Sequence, residues 1–242
     1  MKAETLYKTT QLDGRTWHGN AVVQQGKTLR RGQTGDVRLY GGQGVHAARS
    51  PEEAAMGSRW PWRLWKVEGV VAAEEYERVG CRQLRVVCEL PVELSFGPNS
   101  AAALRVIRRA ETLSPAEVRG LAAAQKAASD IPPGGVRDAT RDAPLDATRG
   151  TAQATARIAA QNAAWAAAWA AVGGAAADAA WAAAWRAAWI AAADAASAAT
   201  VADLVGQHGL EQHHIDTLRQ PWLDVIGPTW DEAEDFELAT AP

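Results

Sequence analysis

The sequence predicts an α+β fold: a small N-terminal mixed α/β domain followed by an Ala/Trp-rich helical hairpin or bundle. Three observations predict it. Up to about residue 98 the chain alternates short β-branched or aromatic segments with Gly-rich and polar turns. Beyond residue 99, serine–glutamate capping pairs precede runs with apolar residues at helical spacing. From residue 137 onward, arginine or tryptophan recurs every fourth position in an alanine background.

In order along the chain, ETLYKTT (residues 4–10), DVRLY (36–40), RLWKVEGVV (63–71) and CRQLRVVCEL (81–90) are predicted strands. In the third, Leu64, Lys66 and Glu68 alternate with Trp65, Val67 and Gly69, the pattern of a strand with one buried face. Gly41, Gly42 and Gly44 after Tyr40 predict a tight irregular loop running to Arg49. Ser50, Pro51 and Glu53 then form a capping box with proline at the first helical position. Two more helices are expected over residues 99–129. Asn99 or Ser100 caps the first, and Ser114 with Glu117 boxes the second. In the first of these, Leu104 and Ile107 mark an apolar face, and Arg105, Arg108 and Arg109 a basic one.

Pro132, Pro133, Gly134 and Gly135 place a boundary at residues 129–136. The expected organisation is an α+β domain over 1–128, a linker with degenerate repeats over 129–150, and a helical domain with an acidic tail over 151–242. In the repeat, Arg137, Arg141, Arg149, Arg157, Trp165, Trp169, Trp181, Trp185 and Trp189 share one phase. A four-residue repeat drifts by about 40° per unit on an α-helix, so one straight helix cannot keep its indoles on one side. Pro144 and Gly173–Gly174 divide the region into shorter pieces. These pieces predict a hairpin in which alanine faces approach closely while Trp165, Trp169, Trp181, Trp185 and Trp189 fill the grooves as core or interface. Further on, Gly209 is expected to cap one helix, Glu211 to start another and Pro221 to stop it.

The formal charge of −3 hides an asymmetry. Residues 1–150 carry 22 Lys+Arg against 17 Asp+Glu, and residues 151–242 carry 3 against 11. The front half can attract phosphates or nucleic acid, whereas the acidic rear half repels nucleic acid, so the repeat is not expected to stack bases. Cys81 and Cys88 are roughly 23 Å apart if both lie in one strand, too far for a disulfide. Unpaired thiols suit a reducing compartment, so a cytoplasmic protein is expected. Alanine contributes little to membrane insertion, and the repeat is interrupted by Gln161, Asn162, Asp178 and Arg186, so no membrane partner is expected.

No catalytic constellation stands out, and no cofactor or metal is expected. His208, His213 and His214 cluster with Glu211 and Asp216, but their spacing fits no zinc signature. The best ligand candidates line the glycine loop: Tyr40, Gly42, Gly44, His46, Arg49 and Ser50, where a loop feeding a helix N-terminus offers backbone N–H groups to an anion.

LYGGQGVHAARSPEEAA, the strand RLWKVEGVV, the Arg/Asp/Ala/Trp tetrads and the ending VADLVGQHGLEQHHIDTLRQPWLDVIGP together resemble a family of uncharacterised proteins from actinobacteria and their phages. The resemblance covers most of the chain, its last segment being the most specific, and it implies an accessory role rather than a known activity. The family's loop more usually carries a cysteine or serine near the histidine, where this chain has Ala47 and Ala48. A shorter, topological likeness is to the ADP-ribosyltransferase fold. It implies that NAD is cradled by the loop, with His46 orienting the nicotinamide ribose, Tyr40 or Trp65 walling the pocket, and Glu68, Glu74 or Glu75 as the nearest glutamates.

Three functions follow as expectations. The first is a non-enzymatic phage- or prophage-type module that self-associates or binds a host or phage protein through its Ala/Trp helices. The others are an NAD-using transferase centred on Tyr40 to Ser50, and phosphate or nucleic-acid binding by the basic front half.

Overall fold

The computed structural model describes residues 2–17, 21–30, 44–56, 58–75, 78–129, 147–172, 179–207 and 210–228. At 75, 128–129, 147–151, 165, 167–172 and 179–182 it describes the backbone only. The DVRLY segment, the 130–146 part of the expected linker, the Gly173–Gly174 turn, His208, Gly209 and the acidic tail lie outside the described residues.

The fold is α+β. The chain forms two compact units, one of Met1–Pro98 with Asp146–Thr155 and one of Asn99–Leu145 with Ala156–Pro242. The division falls after Pro98 rather than at residues 129–136, so the two helices that follow belong with the Ala/Trp helices and not with the sheet. Those helices pack against the other helices of the second unit, and this outweighs the breaker-rich composition of 130–136.

The first unit is a five-stranded antiparallel sheet. Strands β1 (Glu4–Thr10), β2 (Thr28–Arg30), β3 (Val45–Ala47), β4 (Arg63–Glu75) and β5 (Arg78–Leu90) pair in the order β1-β4-β5-β2, with β3 also on β5. β1 agrees with the predicted segment, and β4 and β5 run longer than theirs. β3 corrects the expected irregular loop, because Val45, His46 and Ala47 pair with Cys81, Gly80 and Val79. Beyond β3, Tyr7 and Ala48 exchange both backbone hydrogen bonds at 2.8 and 2.9 Å. The ring β1-β4-β5-β3 therefore returns to β1 and closes a small barrel. Register shifts between Lys66 and Val67 and around Val71 give the long strands the bend that closure requires.

Leu6, Val23, Leu29, Ala47, Trp65, Val67, Val79, Cys81, Leu84 and Val86 fill the interior. Leu64 departs from the one-face expectation. It is fully buried on the opposite face with Ala48 and Ala54, because helix α1 (Pro51–Ala55) covers that face. The predicted capping box starts α1: Ser50 Oγ accepts from the Glu53 N–H, and Glu53 Oε2 accepts from the Ser50 N–H, both at 3.1 Å. Thr9 Oγ1 donates to the Ala54 carbonyl at 3.0 Å and fixes α1 on the sheet.

In the second unit, helix α2 (Ser100–Ala110) buries Ala103, Leu104, Val106, Ile107 and Ala110, a stripe at the expected spacing. Its cap differs from expectation. The Asn99 side chain makes no cap bond and its Nδ2 instead donates to Thr200 O at 3.1 Å and Asp203 Oδ1 at 2.7 Å. Helix α3 (Pro115–Ser129) has its box as read, with Ser114 N–H on Glu117 Oε2 at 2.8 Å and Glu117 N–H on Ser114 Oγ at 3.3 Å. Helix α4 (Ala147–Val172) spans most of the first repeat piece.

Helix α5 (Ala179–Val201) packs against α2, α3 and α6 (Gln212–Ile226), so this unit is a bundle. From Ala188 to Val201 every residue of α5 except Trp189, Ile190 and Asp194 is buried, eight of them alanine. Small side chains let three helices approach one, and the surrounding Val, Leu and Ile side chains supply the volume. α6 runs through Pro221 to Ile226, past the expected stop. A helix-interior proline costs roughly 3 kcal/mol. Ile215, Leu218 and Trp222 are buried along one face of this helix, and seating the largest of them, just after the proline, offsets that cost.

Candidate functional site

Two places hold the candidates, the loop around β3 and the repeat helix α5. Tyr40 and Gly42 lie outside the described residues, and Gly44 is the last buried loop residue before β3. His46 sits within β3 opposite Gly80, and alternation turns it away from the interior that Val45 and Ala47 join. Ser50 is occupied as the helix cap.

Arg49 is committed to the protein itself. Its Nε and Nη2 donate to Glu74 at 3.2 and 2.9 Å, and its Nη1 pairs with Glu4. The guanidinium hydrogen-bonds hold Glu74 below the usual carboxylate range and raise Arg49 above its ordinary value. An arginine closed onto two carboxylates clamps α1 to β1 and β4, and it offers little to a pyrophosphate. Trp65 is buried, with its indole N–H on Thr10 Oγ1 at 3.0 Å and the Arg63 guanidinium 4.6 Å over its ring. It is a core side chain, so it walls no NAD pocket.

Sequence reasoning missed Lys8. It lies on the inward face of β1 with Leu6, and its Nζ donates to the His46 carbonyl at 2.8 Å. This bond continues the β1–β3 closure beyond the Tyr7–Ala48 pair. Burial, and secondarily Arg78, pull Lys8 down to about 8. Only the strand closure brings residues 8 and 46 together, so no local pattern marks them. The Cys81 thiol in the same interior is pushed up to about 11 by burial and by Glu4.

A stability prediction follows. Between pH 8 and the ordinary lysine value of 10.5 the unfolded chain holds a proton that the folded chain lacks, so Lys8 makes stability rise with pH. Cys81 does the reverse between its ordinary 9.0 and about 11, where the folded chain keeps the proton. Melting curves of a Cys81→Ala variant should therefore show a gain on the order of 2 kcal/mol from pH 8 to 10.5. Adding Lys8→Met should abolish the gain, and a flat profile before that addition would contradict the placement of Lys8.

On α5 the expectation that indoles fill the grooves needs correction. The buried surface is alanine, while Trp185 and Trp189 are only half-buried. Their rings stack on each other, with centroids 5.7 Å apart and planes 10° apart. Between them Arg186 is exposed. One turn of helix separates the two, so the pair forms a single apolar ridge. The backbone at Trp165, Trp169 and Trp181 is helical, and their side chains lie outside the described residues.

Of the basic face of α2, Arg109 pairs with Glu117, the α3 cap, and contacts Thr112 Oγ1 at 3.2 Å. At the start of α6, Glu211 Oε2 meets His213 Nδ1 at 3.1 Å, and the Glu211 N–H donates to His214 Nδ1 at 3.0 Å. These contacts cap a helix. Among the described residues no three His, Cys, Asp or Glu side chains gather as a metal site. No described helix is long and apolar enough to cross a membrane. No family model, curated relative or solved structure matches this chain.

Proposed function

We propose that this protein is a non-enzymatic accessory protein, of the phage or prophage type its sequence resembles, that binds or self-associates through its Ala/Trp helices. The observation that carries the proposal is the stacked, half-open pair Trp185–Trp189. A monomer gains nothing by leaving two indoles partly in water beside a helix it buries with alanine. Covering them in an interface recovers apolar area at about 25 cal/mol per Å². Tryptophan is also the residue type most often found dominating binding energy at interfaces.

Size-exclusion chromatography with light scattering tests it. The wild-type chain should run above its 25.7 kDa single-chain mass, increasingly so with concentration. A Trp185→Ala, Trp189→Ala double variant should run as a monomer with unchanged helical circular dichroism. A wild-type chain that stays at 25.7 kDa throughout, with a double variant that keeps every binding partner, would overturn the proposal.

A further inference from the structure

A groove of about 260 Å³ crosses the outer face of the sheet in the first unit. Thr28, Arg30, Glu68, Gly69, Gln83 and Arg85 are among its lining residues. Strand register explains why they meet: Thr28 and Glu68 flank Arg85 from the two neighbouring strands, and Arg30 lies opposite Gln83. The intervening Leu29 and Leu84 point inward and are buried, which turns the polar set outward. At Gly69 the floor is bare backbone, beside the register shift that leads to Val71.

The polar groups divide into two kinds. Arg85 donates twice to Glu68 Oε2, at 3.2 and 2.6 Å, which fixes both side chains. Arg30, across the groove, has no ion-pair partner among the described residues. A fixed guanidinium and an uncompensated one facing the same space suit a phosphate, which takes forked N–H donors. Glu68 and Gln83 add acceptors of the kind that hydroxyl groups require. Among the described residues the lining carries no aromatic ring, so none of them would stack a base. The volume falls below the roughly 300 Å³ at which pockets for drug-sized ligands begin.

We propose that this groove binds the phosphate monoester of a small polyhydroxy compound, with the phosphate between Arg30 and Arg85 and the hydroxyls on Glu68 and Gln83. The site belongs to the sheet unit and stands independently of association through the tryptophans.

Backbone amide shifts in the full chain, titrated with ribose 5-phosphate and with inorganic phosphate, test the proposal. Saturable shifts at Gly69, Gln83 and Arg85 are expected, with the sugar phosphate bound at least about threefold more tightly. Arg30→Gln and Arg85→Gln should each weaken binding by about tenfold, while Arg59→Gln, an exposed cation outside the groove, should stay within about twofold. The proposal is overturned by the absence of saturable shifts, by equal weakening in Arg59→Gln, or by equal affinity for the two probes. Tighter binding of a single-stranded oligonucleotide that Arg30→Gln leaves unchanged would also overturn it.

Discussion

A Gly69→Val protein should unfold at a much lower urea concentration than the wild type, with a loss of about 3 kcal/mol or more. A Cβ at residue 69 would come within 2.6 Å of Leu84 Cδ2, 2.9 Å of the Gln83 carbonyl oxygen and 3.1 Å of Cys81 Sγ. Two of these atoms belong to fully buried side chains in the barrel interior, and the third is backbone of the neighbouring strand. None can yield without moving the β4–β5 ladder. Gly26 provides the comparison, since it has a φ of +78° but no atom within 4 Å of an added Cβ. Gly26→Ala should cost only the left-handed backbone penalty of about 1 kcal/mol. Equal midpoints for Gly69→Val and the wild type would show that β4 and β5 do not approach as described.

Trp222→Ala should destabilise the helical unit by about 3–5 kcal/mol, the range for emptying a buried aromatic site. Trp222 is 0% exposed and heads the large fully buried side chains. It lies on α6, which packs on α3 and α5. Alanine cores have little spare volume to collapse into such a cavity, because their side chains end at Cβ. Thermal unfolding followed by helical circular dichroism reads the effect, and Trp222→Phe should recover a large part of it. The half-buried Trp189 should cost far less on the same assay. A reversal of that order would contradict the placement of both rings.

Local chemistry was legible in the sequence where the partner of each group lies within a turn. The boxes at Ser50–Glu53 and Ser114–Glu117, the stripe Leu104–Ile107 and the strand Glu4–Thr10 all take the predicted form. Features decided by distant partners were not legible. Val45–Ala47 reads as loop beside its glycines and becomes a strand because β5 offers an edge. Lys8 has no sequence neighbour that foretells its bond to residue 46. Helix continuation through Pro221 depends on where Trp222 is buried, which only the bundle determines. Among the candidate residues, Arg49 and Ser50 make their contacts within the protein itself, and the outward set at Arg30 and Arg85 was overlooked. Its members are scattered over 58 positions and come together only through strand register.

The tetrad repeat shows the same limit. Its period identifies helix and its composition identifies close packing, yet nothing in a strict Ala/Trp alternation says which residue type faces inward. The bundle selects alanine, since the residues that α5 buries where α2, α3 and α6 approach it are mostly alanine. Displaced from that face, Trp185 and Trp189 stack on one another instead.

Hydroxyl-radical footprinting of the full chain at low and high protein concentration tests the role of that pair most directly. Oxidation at Trp185 and Trp189 should fall as concentration rises, while buried Trp222 stays unlabelled at both concentrations. Unchanged labelling of Trp185 and Trp189 across the series would show that no second surface covers the indole ridge.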